Sequence, residues 1–477
     1  MNFKAHSFFG ALALIGLAVG AFAAGIHLGP NRSVGHNLYH PAFSSRLSTH
    51  KNVVLASVKT PVRMASADST IDDEFTSDGP ADTFQQVYLL LKRHYVDQLP
   101  DDFKMGHGAA SSMLASLQDP NSRFLEPAEM AELNNEAKGQ YHGLGAVLAV
   151  RKIAHVKSED IPQFDEYRLT IVAALPGSPA EKAGLKAGDY IIDINGQWVY
   201  SDDPVYAETK SIKAAENDPV AFNKLVTALQ KKIDSSLSLA DAQTKLDDPL
   251  SKSLALTVAR PGVAQPLNVN LDTTAPTIVP PIVAHSLPGG IGYIRINQFT
   301  EGADKDFATA LSGFGTDVKG LVLDLRDSPG GMLETGAAIA AQISTATSLG
   351  VVQTKGKKEA DVSITPSNSL TKPVVVLVNG GTANTAELLA AVLQSKGDKL
   401  VGATTFGDAA DVKAILLRDG SGFTMTVGKV FTAAHGDFAD IGLKPDVPVA
   451  DTTGNETLNR AVGLLSGQVA RAPSHRG

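Results

Sequence analysis

Residues 373–392 read PVVVLVNGGTANTAELLAAV. The run from Val374 to Val378 carries no polar side chain, so a strand formed there has to be covered on both faces of its sheet. The Ala- and Leu-rich stretch that follows Gly380-Gly381 is built of helix formers. Strand, tight turn and helix in that order define a junction at which α/β hydrolytic enzymes often present a nucleophile, because free N–H groups at a helix start can hold an oxyanion. This turn offers Thr382, Asn384 and Thr385, with no Ser or Cys among its residues.

The same alternation recurs from Gly290 onward. GYIRINQF, KGLVLDLR and KLVGATTFG read as strands, separated by helical patterns such as KDFATALSGF and LETGAAIAAQI. The expectation is a multidomain α/β chain whose main α/β domain spans 272–466. Residues 139–271 form a separate β-rich domain, with GLGAVLAV and YRLTIVAAL as strands and a charged helical insertion, read as a hairpin, near 205–250. Residues 76–138 form a helical region in which Val87, Leu90, Leu91 and Tyr95 share a stripe. Residues 30–75 are a polar linker without a period and 467–477 a tail.

The 477 residues carry a formal net charge of -8 and no long Lys/Arg run, which argues against nucleic acid as a partner. The chain has no cysteine, which excludes disulfides, thiolate catalysis and zinc-cysteine sites. No His/Asp/Glu spacing suggests a metal, and no cofactor is expected. Within residues 1–29, Lys4 precedes an apolar stretch that runs on past Ala21-Phe22-Ala23, which reads as a signal peptide or as an uncleaved membrane anchor. Either implies an exported protein of the periplasm or cell envelope.

LPGSPAEKAGLKAGDYIIDINGQWV, inside the β-rich region, resembles a PDZ domain. That resemblance implies binding of extended peptides or protein C-termini, with Gly143, Leu144, Gly145 and Ala146 as the loop whose N–H groups hold a terminal carboxylate. Together, GYIRINQF, LVLDLRDSPGG and PVVVLVNGGTANTAELLAAVLQ resemble in order the carboxy-terminal processing peptidases of serine peptidase family S41. HYVDQLPDDFKMGHGAASSMLASLQDPNSRFLEPAEM and TVGKVFTAAHGDFADIGLKPDVPV extend the likeness to either side. The implied fold is the family's ClpP/crotonase-like core.

The resemblance also implies a Ser/Lys mechanism, in which a Ser attacks, a neutral Lys takes its proton and a Gln orients the Lys. The corresponding positions here are Asn384, Asp408 and Val412. A carboxamide forms no acyl-enzyme, a carboxylate at 408 has no hydroxyl at 384 to deprotonate, and Val412 orients neither. Gly330, Gly331 and the N–H of Thr385 match the family's oxyanion hole, and Arg326 keeps its place. The hydroxyls of Thr382 and Thr385 are expected to cap the helix. Lys413 reads as a solvated strand lysine and His435 as a loop residue. The leading expectation is a pseudopeptidase that binds peptides through its PDZ domain and docks on an active relative or an envelope protein. The alternatives are an active endopeptidase with a divergent site and an envelope scaffold.

Overall fold

The computed structural model describes residues 79–471, apart from 118, 157–163, 201–207, 216, 316–317, 368–369, 371, 435 and 451–453. The N-terminal apolar segment, the whole of the polar linker and His435 therefore lie outside the described residues. No helix among the described residues is long and apolar enough to cross a membrane.

Val374–Val378 lies inside a six-stranded sheet with the order Ile282–Leu287, Ile291–Ile296, Gly320–Asp324, Val374–Val378, Lys399–Gly402, Val447–Pro448. The first pair is antiparallel and the others are parallel. Its side chains divide between two cores. Val374, Val376 and Val378 face Phe307, Ile339 and Leu388 from the helices Ala303–Gly313, Leu333–Ile343 and Thr385–Ser395, whereas Val375 and Leu377 face Ala461 and Leu465 of Asn455–Arg471. Each of the five is buried, at roughly 1.5–3 kcal/mol per side chain. The polar alternation missing from the sequence is thus explained by helices on both faces.

A second, antiparallel sheet joins Arg123–Leu125, Ser348–Thr354, Lys358–Ser363, Ala410–Leu416 and Gly422–Thr432. The β-rich unit has six strands, Ala146–Val156, Phe164–Ala174, Tyr190–Ile194, Gln197–Trp198, Ser253–Ala259 and Leu267–Asp272. Leu169, Ile171, Ile191 and Leu256 fill its core. The stretch read as one helical hairpin near 205–250 divides into Thr209–Ala215, Pro219–Asp234 and Leu239–Leu246. The last packs into the β-rich unit, with Leu239, Ala242 and Leu246 buried in its core.

The helical region holds Pro80–His94, Asp102–Ala115 and Pro127–Glu136. The stripe read on the first helix forms, but Val87, Leu91 and Tyr95 remain exposed. His107 of the second helix lies 2.8 Å from Glu126 and 2.9 Å from Asp419, which tethers this region to the turn between Ala410–Leu416 and Gly422–Thr432.

Candidate active site

The turn after Val378 is stapled to a second turn, Leu325–Ser328, that follows the neighbouring strand. Asn379 accepts the N–H groups of Asp327 and Gly381 at 2.9 Å each and donates its amide to Asp327 Oδ1 at 2.9 Å. The Ala383 N–H donates to the Ser328 carbonyl at 2.9 Å. Arg326 forks onto the buried Asp324, with its closest nitrogen at 2.6 Å, and that carboxylate also accepts the Tyr293 hydroxyl at 2.7 Å. Gly381 has to be a glycine, since a Cβ there would lie 2.7 Å from Asp327 Oδ1 and 2.7 Å from the Val172 carbonyl.

This framework holds Asn384 at φ 50° and ψ -118°, a strained backbone outside even the left-handed helical region. Such a conformation costs on the order of 1–3 kcal/mol and persists only where the surroundings impose it. The half-buried Asn384 side chain donates to the Ala410 carbonyl at 2.8 Å. Asp408 is half-buried on the loop after Phe406, accepts the Ala410 N–H at 3.1 Å, and has its carboxyl pushed above the ordinary range by burial. Val412 is 40% exposed and pairs with Thr426 across the strand ladder. Of the three positions that the family likeness singles out, Asn384 and Val412 line an open cleft of about 1540 Å³ together with Gly330 and Gly331, and Asp408 lies beside Asn384, whose amide nitrogen is 3.5 Å from the Asp408 carbonyl.

Thr385 opens the helix Thr385–Ser395, so its N–H is among the helix-start donors that have no intrahelical partner. Gly330 and Gly331 have φ of 96° and 136°, and a Cβ on Gly330 would sit 3.1 Å from the Thr385 nitrogen. The oxyanion-hole-like group of Gly330, Gly331 and Thr385 is therefore contiguous.

Neither threonine hydroxyl caps the helix. Thr382 Oγ1 donates to the Leu325 carbonyl at 2.7 Å and Thr385 Oγ1 to the Gly331 carbonyl at 2.7 Å, and both residues are fully buried. Carbonyls from the neighbouring turn reach these hydroxyls first, because the two turns are packed together. The capping role falls to Glu387, whose significance the sequence reading missed. Glu387 Oε2 accepts the N–H groups of Asn384 at 3.0 Å and Asp408 at 2.9 Å, while Oε1 accepts from the Thr405 hydroxyl at 2.5 Å and from Gly407 N–H at 2.7 Å. Burial drives its carboxyl up to about 7, opposed by those four donors. The available signal was the spacing Asn384-x-x-Glu387, which is that of a capping box. Lys413, exposed, lies one residue beyond Val412 on the same strand and also lines the cleft.

The β-rich unit abuts this site. Val172 packs with Ala383 and Phe406, and the Arg151 guanidinium stacks 4.8 Å from the Phe406 ring centroid while donating to the Asp440 carbonyl at 3.2 Å. The loop proposed to hold a carboxylate is buried: the Leu144 N–H donates to the Leu246 carbonyl at 2.8 Å, and a Cβ on Gly143 would lie 2.0 Å from that same oxygen. Gly145 and Ala146 are also buried, and Gly145 accepts the Leu175 N–H at 3.1 Å.

The profile of peptidase family S41 matches residues 290–449, and that of the PDZ domain matches residues 170–209. The chain is 30% identical over 405 residues to the carboxyl-terminal-processing protease of Synechocystis sp. (strain ATCC 27184 / PCC 6803 / Kazusa), covering 81% of this chain and 83% of that protein. It is 29% identical over 376 residues to the carboxy-terminal processing protease CtpA of Bacillus subtilis (strain 168), covering 78% of this chain and 69% of that protein. Among solved structures, the photosystem II D1 C-terminal processing protease shares the fold with a TM-score of 0.57 at 24% identity, covering 83% of this chain and 92% of that one. The chain belongs to the carboxy-terminal-processing peptidases of family S41 and carries that family's peptidase fold together with a PDZ domain.

Proposed function

We propose that this chain is an exported member of the family that does not hydrolyse peptides and instead binds peptide or protein C-termini through its PDZ domain. The observation that carries the reading is the state of the hydroxyl and amide groups at the turn. Asn384 offers a carboxamide nitrogen held on the Ala410 carbonyl, and the two threonine hydroxyls beside it are buried as donors to main-chain oxygens. None of the three is placed to attack an acyl group, since a nucleophile needs both a free lone pair and a neighbouring base. Asp408 supplies a carboxyl where the family likeness expects an amine. Export is supported by the apolar N-terminal segment behind Lys4.

The deciding experiment is cleavage of casein by residues 76–477 beside the triple variant Asn384→Ser, Asp408→Lys, Val412→Gln. A silent parent chain is the expected result, most tellingly where the triple variant cuts. Turnover by the parent that disappears on mutating Thr385 or Thr382 would sink the reading and establish an active endopeptidase.

A further inference from the structure

A PDZ-type groove lies between an edge strand and the helix that faces it, and it ends at the Gly-rich loop. Here the strand is Ala146–Val156, which pairs along only one edge, the helix is Leu239–Leu246, and the loop is 143–146. At the loop end the Leu246 carbonyl occupies the Leu144 N–H. Further along, Val150 of the strand and Ala240 of the helix face Ala115, Pro120, Ser122 and Arg123 from the helical region, and the space left among them is about 30 Å³. That volume holds a water or two and no peptide.

The covering segment is fastened on both sides. Toward the groove, it is the next helix, Pro127–Glu136, that is held: Thr244 donates to Glu129 at 2.5 Å, and His142 beside the loop contacts Glu132 at 2.6 Å. Toward the peptidase core, Arg123–Leu125 pairs with Gly422–Thr424, and Thr424 Oγ1 donates to the Asn121 carbonyl at 2.7 Å. The strand Gly422–Thr432 in turn carries Ala410–Leu416, whose Ala410 carbonyl receives the Asn384 amide.

We propose that the peptide groove of the PDZ domain is closed by the chain's own Ala115, Pro120, Ser122 and Arg123, so that a peptide enters only when these residues lift from the groove and the strand Arg123–Leu125 lifts from Gly422–Thr432. The inference rests on reading the β-rich unit as a peptide-binding domain, and its test separates the two. The occupant is internal, and displacing it removes a strand from the sheet beside the cleft.

Hydrogen exchange on the whole chain tests the closure without any ligand. Arg123→Asp places a second carboxylate beside Glu129, 3.5 Å from the present guanidinium, and should release the strand 123–125. Ala115→Trp, which forces a large ring into the 30 Å³ space, is an independent second variant. Either should speed exchange at 146–150 and 239–246 at least tenfold, with 374–378 unchanged. Freely exchanging 123–125 amides without acceleration at the groove would overturn the proposal. A displayed library of random heptapeptides with free C-termini is the ligand probe. Enrichment on the released variants and not on the parent supports closure, and equal enrichment on both refutes it. Accelerated exchange with no enrichment anywhere leaves closure standing and sinks the peptide-binding reading.

Discussion

Glu387 reaches Asp408 through the main chain: its Oε2 accepts the Asp408 N–H at 2.9 Å and the Asn384 N–H at 3.0 Å, so one buried carboxyl sets the separation of the two positions where the family likeness expects nucleophile and base. Replacing it with Gln turns one acceptor oxygen into an NH₂ that faces two donors. Glu387→Gln should therefore destabilise the chain by about 2–4 kcal/mol in urea denaturation, and a loss below about 0.5 kcal/mol would show that the network is not holding the turn.

The same carboxyl makes a pH prediction. Burial raises it from 4.5 to about 7, so between these values the folded chain holds a proton that the unfolded chain has lost. Its contribution to stability is complete below the lower value and disappears as pH rises through the upper one, a change on the order of 3 kcal/mol. Urea midpoints measured from pH 5 to pH 8 should fall in the parent chain, and this component should be absent from Glu387→Gln.

His107 works over a neighbouring window. Asp419 and then Glu126, both hydrogen-bonded to its ring, raise its pKa above the ordinary 6.5. The tether is fully present below that value and weakens as pH rises through the raised one. Proteolytic nicking within 102–125 should accelerate between pH 6 and pH 8.5, and His107→Gln should be nicked quickly at both. Equal rates for the parent at the two values would remove His107 as the fastening.

The two glycines of the turn separate close approach from simple turn preference. Gly381→Ala should cost about 1–3 kcal/mol because its Cβ meets an oxygen of each neighbouring chain segment, whereas Gly380→Ala has nothing within 4 Å and should be nearly neutral. Equal costs in a thermal melt would show that the stapled turns relax independently.

Fluorophosphonate labelling addresses chemistry directly. The parent chain and Asn384→Ser should both remain unlabelled, the second because Asp408 supplies no amine to take the proton from a new hydroxyl. Robust turnover from that single change would mean that another residue acts as base.

The central strand was legible because five apolar residues in a row admit no other placement, and Asn384 was legible because the turn around it carries a family signature. The contacts that fix the site were not. Thr382 and Thr385 have the composition of caps, but their hydroxyls answer to carbonyls at Leu325 and Gly331, more than fifty positions away in the chain. The covering of the PDZ groove depends on Arg123 meeting Thr424 across three hundred residues, a pairing that local pattern does not carry. The helix Leu239–Leu246 was grouped with its charged neighbours because its buried side is only three residues wide.

The strained backbone at Asn384 is held by Asn379, Glu387 and the Ser328 carbonyl, none of which depends on the side chain at 384. A different side chain at that position therefore alters what the turn can do while these contacts stay in place. What the turn can do and where it stands are thus set by different groups, the first by the side chain at 384 and the second by the contacts around it.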